Sequence, residues 1–179
     1  MTAGEDVHLY VPLAYGQARK VLRTLGPTRN DVVMDVGCGL GRVLVMAARG
    51  PARQVIGVEC DPLIAEAARS NLSRRPAKKS PTTVLTGDAA TLDFSEVTVV
   101  VLFNPFGLHT MRSMLECLRA SIEAQPRSVR IAYINPTAAS TLEECGWLTQ
   151  TAVTRSARFR YSVSYWQSTP PPSTLEPLS

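Results

Sequence analysis

Residues 31–41 read DVVMDVGCGLG, an apolar run followed by glycines at alternate positions. The run from Asp31 to Val36 is short and rich in β-branched residues, which is typical of a buried strand. Arg42 to Arg49 follows with apolar residues at helical spacing and is closed by Gly50-Pro51. A glycine-rich turn between a strand and a helix lets the backbone approach a ligand closely. We therefore predict a strand, turn and helix that begin an α/β fold and carry a binding loop.

Strands and helices alternate along the rest of the chain. Further strands are predicted at Gln54–Glu59, Thr82–Thr86, Val97–Phe103, Val129–Asn135, Leu148–Thr154 and Arg158–Trp166. Further helices are predicted at Leu13–Leu25, Pro62–Ser73, Met111–Ala124 and Ala138–Cys145. The early strands are almost uniformly apolar, which indicates a doubly wound, mostly parallel, seven-stranded sheet with helices on both faces. Only a short link around Arg155 joins the last two strands, so we expect one of them to lie antiparallel near the sheet edge.

The size and composition of the chain are those of one ordinary domain. It has 179 residues, a mass of 19.4 kDa and a formal net charge of +4. We predict a domain over residues 1–167, in which the helix at 12–26 acts as a lid, and a disordered proline-rich tail over 168–179. No apolar run approaches a bilayer span and the start of the chain has no signal-peptide pattern, so we expect a cytoplasmic protein without membrane contact.

Metal binding and nucleic-acid binding find little support in the composition. The four cysteines, Cys38, Cys60, Cys117 and Cys145, are scattered without zinc-ligand spacing, and the sequence has two histidines. We expect no metal site. The modest positive charge and the absence of an attached recognition domain weaken the case for a nucleic-acid substrate.

The glycine-rich loop has the chemistry of a cationic nucleoside site. Its third glycine is Gly41, whereas the dinucleotide fingerprint would place it at position 42, which is Arg42. The Asp35 carboxylate would repel a pyrophosphate but suits the ammonium and sulfonium of S-adenosylmethionine. Glu59 lies 18 residues past Gly41, at the end of the next predicted strand, where it can accept hydrogen bonds from ribose hydroxyls.

These segments resemble the seven-strand class I methyltransferases, which use S-adenosylmethionine. Residues 35–41 match their first motif, 55–59 the ribose strand and 86–89 the loop after the third strand. The resemblance implies that Asp35 holds the methionine end of the cofactor, Glu59 the ribose, and Asp88 and Ala89 the adenine. It adds the following residues to the cofactor contacts: Gly37, Cys38, Gly39, Gly41, Cys60 and Asn104. The alternative is that Asp35, Glu59 and Asp88 only cap loops and helix starts.

The segment after the predicted fourth strand points to the methyl acceptor. Phe103 is followed by Asn104, Pro105 and Phe106 at the sheet edge where ligands bind. The Asn104 amide oxygen can accept a hydrogen bond from an attacking amine, and Pro105 stiffens the turn. The segment resembles the (Asn/Asp)-Pro-Pro-aromatic motif of amino methyltransferases, from which it departs because Phe106 replaces the second proline.

Two further features bear on the acceptor. The segment Tyr10-Val11-Pro12 resembles the Tyr-x-Pro segment of lysine methyltransferases of the same fold, which implies that Tyr10 lies at the active site and that the segment closes over the cofactor. His109 could act as a base for a hydroxyl acceptor. Three functions stay open: N-methylation of a protein lysine or small-molecule amine, O-methylation of a small natural product, and non-catalytic binding of S-adenosylmethionine.

Overall fold

The computed structural model describes residues 13–74, 79–103, 106–156 and 159–169. Within these ranges the helices are α1 (Tyr15–Leu25), α2 (Arg42–Ala47), α3 (Pro62–Ser73), α4 (Leu108–Ala124) and α5 (Ala139–Glu144). The strands are β1 (Val32–Val36), β2 (Gln54–Glu59), β3 (Thr82–Thr86), β4 (Val99–Phe103), β5 (Arg130–Ile134), β6 (Leu148–Ser156) and β7 (Phe159–Ser168). A short 3-10 turn, Ala89–Thr91, lies between β3 and β4.

The strands form one seven-stranded sheet in the order β3-β2-β1-β4-β5-β7-β6. Strands β1 to β5 pair in parallel, whereas β7 is antiparallel to both of its neighbours, β5 and β6. This confirms the predicted mostly parallel sheet with an antiparallel strand near one edge. The antiparallel strand is β7, and β6 forms the edge, because the link between them is too short for a crossover and makes a hairpin.

Helices cover both faces of the sheet, as the apolar strands predict. All five residues of β1 are buried, and they alternate between two hydrophobic clusters, with Val33 in one and Met34 in the other. The first cluster contains the buried faces of α1, α2 and α3, and the second those of α4 and α5. Because successive side chains of a strand point to opposite faces, a strand covered on both sides is mainly apolar, and Asp35 is the exception in β1.

The candidate site lies where the direction of the chain through the sheet reverses. From β1 the chain proceeds outward to β2 and β3, and it then returns to β4 on the other side of β1. The carboxyl ends of β1 and β4 therefore flank a crevice, because the connections after these two strands lead to opposite faces. The glycine-rich loop follows β1 at this point.

At the opposite end of the sheet, an ion pair between Asp31 and Arg130 joins several elements. Asp31 accepts hydrogen bonds from the Thr28 amide (2.6 Å), the Thr28 hydroxyl (2.8 Å), the Thr98 hydroxyl (2.8 Å) and Arg130 Nη2 (2.5 Å). Arg130 also donates to the carbonyl oxygen of Gly26 at 3.2 Å. Burial by itself raises the pKa of Asp31, but these hydrogen bonds outweigh it and lower the pKa to about 2. The pair joins the end of α1 to the starts of β1, β4 and β5.

Several predicted boundaries shift in the structure. Helix α4 begins at Leu108, three residues before the predicted start at Met111. The predicted tail begins at residue 168, but Ser168 belongs to β7, where its amide donates to the Val129 carbonyl and its hydroxyl accepts from the Val129 amide. This pairing with the residue before β5 holds Ser168 in the sheet. Residues 1–12, including Tyr10, and residues 170–179 lie outside the described residues.

Among the helices of the described residues, none has both the length and the apolar character needed to span a bilayer.

Candidate functional site

The loop after β1 has a backbone that favours glycine at alternate positions. Gly37, Gly39 and Gly41 have φ angles of 73°, 52° and 78°, in the left-handed region. The amides of Gly37 and Cys38 both donate to the Val58 carbonyl at 2.9 Å, and the Gly41 amide donates to the Cys38 carbonyl at 2.9 Å. A residue with a Cβ would be strained at each of the three positions. The spacing of the glycines therefore follows from the path of the loop over the end of β2.

The backbone amides of this loop bond within the protein. Besides the amides of Gly37, Cys38 and Gly41, the Gly39 amide donates to Glu59 Oε2 at 2.9 Å. A phosphate-binding loop at a helix start instead directs its amides at the ligand. The geometry therefore supports the sequence-based prediction that the loop is not a pyrophosphate site.

Gly57 in β2 allows the loop and α2 to pack closely on the sheet. A Cβ at this position would lie 2.4 Å from Leu44 Cδ1, so that the leucine side chain would have to shift, and 3.0 Å from Cys38 Sγ, which is a tight contact. Leu44 is fully buried in α2, and Cys38 belongs to the loop. Gly57 was not among the residues predicted for the site, although a glycine inside an apolar strand is a recognised sign of a close backbone approach.

Asp35 and Glu59 form an acidic pair beside the loop. Asp35 is 2% exposed in the middle of the sheet, where it lies in register with Gly57. Burial, and secondly the negative charge of Glu59, raise the pKa of Asp35 to about 8. Within the described ranges no hydrogen bond or ion pair compensates the Asp35 carboxyl. A buried carboxylate of this kind is costly unless a cation lies next to it.

Glu59 both holds the loop and keeps capacity to bind a ligand. Its Oε2 accepts the hydrogen bond from Gly39, and its Oε1 accepts from the Asp61 amide at 3.1 Å and the Cys60 thiol at 3.5 Å. A carboxylate has about four acceptor positions, so room for a further donor such as a ribose hydroxyl remains. Asp61 in turn caps α3 by accepting from the amide of Leu63 at 2.7 Å. The capping and ligand-binding interpretations of Glu59 are thus compatible.

Asp88 caps the 3-10 turn that follows β3. Its Oδ1 accepts a hydrogen bond from the Ala90 amide at 2.9 Å. Ala89 is buried in the second hydrophobic cluster. Within the described residues Oδ2 of Asp88 makes no hydrogen bond. The position after β3 agrees with the predicted adenine side of the site, and the adenine contact itself stays a prediction.

The two cysteines next to the acidic pair are neutral thiols. Burial raises the pKa of Cys38, and the charges of Asp35 and Glu59 raise it further. Burial also raises the pKa of the exposed Cys60, with a smaller contribution from Glu59. A neutral thiol is a poor nucleophile, so neither residue has the character of a reactive cysteine. In the part of the chain that the structure describes, no group of three or more His, Cys, Asp or Glu residues could hold a metal ion.

The structure describes some of the residues predicted to face the methyl acceptor and not others. Asn104 and Pro105 lie outside the described residues, so their roles stay predictions. Phe106 is 5% exposed and packs in the second cluster, which gives it a role in the core. His109 is exposed in the first turn of α4. Tyr161, which was not among the predicted site residues, contacts the end of β4. Its ring is tilted by 59° to the ring of Phe103, and the ring centroids are 5.0 Å apart.

Helix α1 is joined to the loop and to the end of the sheet. Arg42, which directly follows Gly41, donates to the carbonyl oxygen of Leu13 at 3.2 Å and lies over the Tyr15 ring at 5.4 Å. The buried Gln17 donates to the carbonyl oxygen of Tyr161 at 2.9 Å. These contacts place the start of α1 at the same edge as the loop, and the predicted lid function of this helix stays a prediction.

Comparison with known proteins identifies relatives of this site. The family model described as the ANTKMT methyltransferase domain matches residues 35–141, which include the loop, the acidic pair and β4. The chain is 30% identical over 95 residues to a protein-lysine N-methyltransferase from Saccharolobus islandicus, and the match covers 52% of the chain and 58% of that relative. It is 43% identical over 76 residues to a ribosomal protein L11 methyltransferase from Dechloromonas aromatica, covering 41% of the chain and 24% of that relative.

The fold is shared with solved structures. An RNA methyltransferase from Salinibacter ruber in complex with S-adenosyl-L-homocysteine superposes with a TM-score of 0.63 at 23% identity. The superposition covers 94% of this chain and 99% of that one. The chain spans less than two thirds of the length of the two curated relatives, so they align with only part of their own sequences.

Proposed function

The chain belongs to the family of the ANTKMT methyltransferase domain, and on that premise we propose that it transfers a methyl group from S-adenosylmethionine to an amine, with a protein lysine as the acceptor. Members of this class I fold use S-adenosylmethionine as their cofactor. The observation that carries the proposal is the buried acidic pair beside an internally bonded glycine loop. Support for the lysine comes from the protein-lysine N-methyltransferase of Saccharolobus islandicus.

The residues of the site fit this cofactor. Asp35 is a buried carboxyl next to a second carboxyl, so a positively charged ligand group would relieve the unfavourable charge. Glu59 retains acceptor positions for ribose hydroxyls, and Asp88 retains one oxygen for a donor on the adenine. The loop at Gly37 to Gly41 has no Cβ at alternate positions, which lets the ligand lie close to the backbone.

Methyl transfer depends more on the positioning of the two reactants than on a strong base. Bound S-adenosylmethionine supplies a methyl group on a sulfonium, which is already a good electrophile. Asp35 and Glu59 would hold the methionine and ribose portions of the cofactor. Strand β4 pairs with β1, so its end at Phe103 lies at the same edge of the sheet as the glycine loop. Holding the reactants in line can lower the barrier by several kcal/mol.

A lysine acceptor must reach the site as a neutral amine. At pH 7 this costs about 4 to 5 kcal/mol for an unperturbed lysine with a pKa near 10.4. A site that excludes water and offers hydrogen-bond acceptors reduces this cost, because desolvation disfavours the charged form of an amine. Phe103 and Tyr161 supply aromatic surface at the carboxyl end of β4, and Asn104 would supply the acceptor oxygen.

Methylation of protein extracts tests the proposal. The purified chain is incubated with isotopically labelled S-adenosylmethionine and with separate protein, nucleic-acid and metabolite fractions, and the products are analysed by mass spectrometry. We expect label on lysine side chains of the protein fraction and none when Asp35→Asn and Glu59→Gln are combined. Label confined to the nucleic-acid fraction would overturn the lysine assignment, and label confined to hydroxyl groups of metabolites would overturn the amine assignment.

O-methylation is a second candidate because His109 is exposed at the start of α4, the helix that follows the end of β4. A histidine there could remove the proton of a hydroxyl acceptor. The non-catalytic alternative requires affinity for S-adenosylmethionine without transfer to any fraction. The labelling experiment separates the three possibilities, since each predicts a different labelled product or none.

A further inference from the structure

A groove runs between α1 and α2, outside the cofactor site. It has a volume of about 340 Å³ and is lined by Tyr15, Gly16, Arg19, Val45, Met46 and Arg49. Val45 and Met46 form an apolar floor, and the exposed Arg19 and Arg49 stand at its margins. The volume lies at the lower end of the roughly 300–1,000 Å³ of small-ligand pockets. This basic groove is therefore large enough for a few side chains.

The basic groove opens beside the glycine loop. Tyr15 lines one end of it, and its ring lies under Arg42, the residue that follows Gly41. Arg49 lies beyond the other end of α2, so the groove extends from the cofactor edge along the helical layer. A molecule bound at the carboxyl end of the sheet could therefore place one of its segments in the groove.

The two segments of the chain that line the basic groove carry charges of one sign. No Asp or Glu occurs between residues 13 and 30 or between 36 and 58, whereas these segments contain seven cationic residues: Arg19, Lys20, Arg23, Arg29, Arg42, Arg49 and Arg53. Within the described ranges neither Arg19 nor Arg49 lies within 4.0 Å of a carboxylate. A surface of uniform positive charge attracts an acidic partner and raises its rate of association.

We propose that the basic groove is a docking site for an acidic segment, containing Glu or Asp with an apolar residue, of the protein that receives the methyl group. The inference rests on the proposed function, because it assumes a protein acceptor. Arginine guanidinium groups bind carboxylates in a planar two-point geometry, and Val45 with Met46 would take the apolar side chain. Single-stranded nucleic acid would instead favour successive aromatic platforms, and among the described residues Tyr15 is the one aromatic residue that lines the groove.

Peptide binding to the full chain saturated with S-adenosylhomocysteine tests the docking site. The probe is a fluorescein-labelled peptide of alternating Glu and Leu residues, compared with its Gln-for-Glu version and with a single-stranded RNA ten-mer by fluorescence anisotropy. We expect saturable, salt-sensitive binding of the Glu peptide. Arg19→Glu combined with Arg49→Glu should weaken it about tenfold or more. The matched control, Arg29→Glu combined with Arg155→Glu, carries the same charge change outside the groove and should stay within about twofold.

A neutral variant separates the groove from the general charge of the surface. Gly16→Phe adds volume inside the groove without changing the charge, and we expect it to abolish peptide binding as well. Equal weakening by the two Arg pairs, unchanged binding in Gly16→Phe, equal binding of the Gln peptide, or tighter binding of the RNA would each overturn the proposal. Melting temperatures measured by circular dichroism identify a variant that does not fold, and the remaining groove variant then decides.

Calorimetric titration with S-adenosylhomocysteine distinguishes failure of the docking site from failure of the proposed function. The lid function predicted for α1 would make cofactor affinity sensitive to Gly16 and Arg19, so every variant is titrated, and peptide binding is compared between variants that retain cofactor affinity. Cofactor affinity without peptide binding would overturn the docking site alone. Absence of cofactor affinity in the unsubstituted chain would overturn the proposed function.

Discussion

Binding of S-adenosylmethionine should be coupled to loss of a proton from Asp35. The buried carboxyl has a pKa of about 8 in the free protein, so about a tenth of it is ionised at pH 7 and about a hundredth at pH 6. A cationic ligand binds the ionised form, and the apparent affinity is reduced by the fraction of protein in that form. We therefore expect the dissociation constant to fall about tenfold between pH 6 and pH 7. The measurement stays below pH 7 because an α-amino group titrates near pH 8.

Replacement of Asp35 by Asn should remove both this pH dependence and part of the affinity. A carboxylate about 4 Å from a unit positive charge gains about 4 kcal/mol at an effective dielectric constant of 20. Ionising Asp35 at pH 7 costs about 1.4 kcal/mol, since the pKa lies one unit higher. The difference, about 2 to 3 kcal/mol, corresponds to roughly 30- to 150-fold weaker binding in Asp35→Asn.

Calorimetry in two buffers of different ionisation enthalpy measures the coupled proton directly. We expect release of about 0.9 proton on binding at pH 7 to the unsubstituted chain and none to Asp35→Asn. No proton release, parallel pH dependences for the two proteins, or wild-type affinity in Asp35→Asn would each refute the reasoning. Thermal unfolding without ligand gives a second measurement. The raised pKa of Asp35 stabilises the fold most below pH 3.8, and this stabilisation is lost as the pH rises through 8.

Three further predictions concern packing, acid stability and the acceptor. Gly57→Ala should lower the free energy of unfolding in urea by about 1 to 3 kcal/mol. The loss should be smaller in a Leu44→Ala background, which lacks the atom that a Cβ would meet at 2.4 Å. Equal losses in both backgrounds would contradict the close approach. Asp31→Asn should cost about 2 kcal/mol at pH 7, because the lowered pKa of Asp31 stabilises the fold above pH 3.8, and this cost should disappear as the pH falls through 2. His109→Ala should keep transfer to lysine within a fewfold of the unsubstituted rate in a radiolabel assay, whereas a loss of about 100-fold with intact cofactor binding would indicate a base and favour the hydroxyl acceptor.

The sequence was sufficient to predict the architecture because the fold follows from local patterns. Apolar strands such as Val32–Val36 must be buried on both faces, and helices between them supply the cover. The link between β6 and β7 is too short for a crossover, so these two strands must form an antiparallel hairpin. The ends of the helices and strands were less predictable, as the start of α4 and the end of β7 show. At the end of β7, hydrogen bonds with the distant residue Val129 extend the strand to Ser168.

The glycine turn and the acidic pair could be predicted from the sequence, since their residues lie in two short segments at the ends of adjacent strands. Asp35, the glycines after it and Glu59 were identified from spacing and charge. The aromatic contact at the end of β4 could not be predicted, because it joins residues far apart in the chain. Phe103 meets Tyr161 across the sheet edge, and Phe106, which sequence placed at the active site, packs in the core.

Sequence by itself thus determined the fold class, the glycine turn and the acidic pair, because each depends on residue type and on spacing within one strand–turn–helix unit. The tertiary structure alone decided three other features. They are the burial that raises the pKa of Asp35, the internal bonding of the loop amides and the close approach at Gly57. These depend on distances between segments separated in sequence, which the packing of α2 on β1 and β2 fixes.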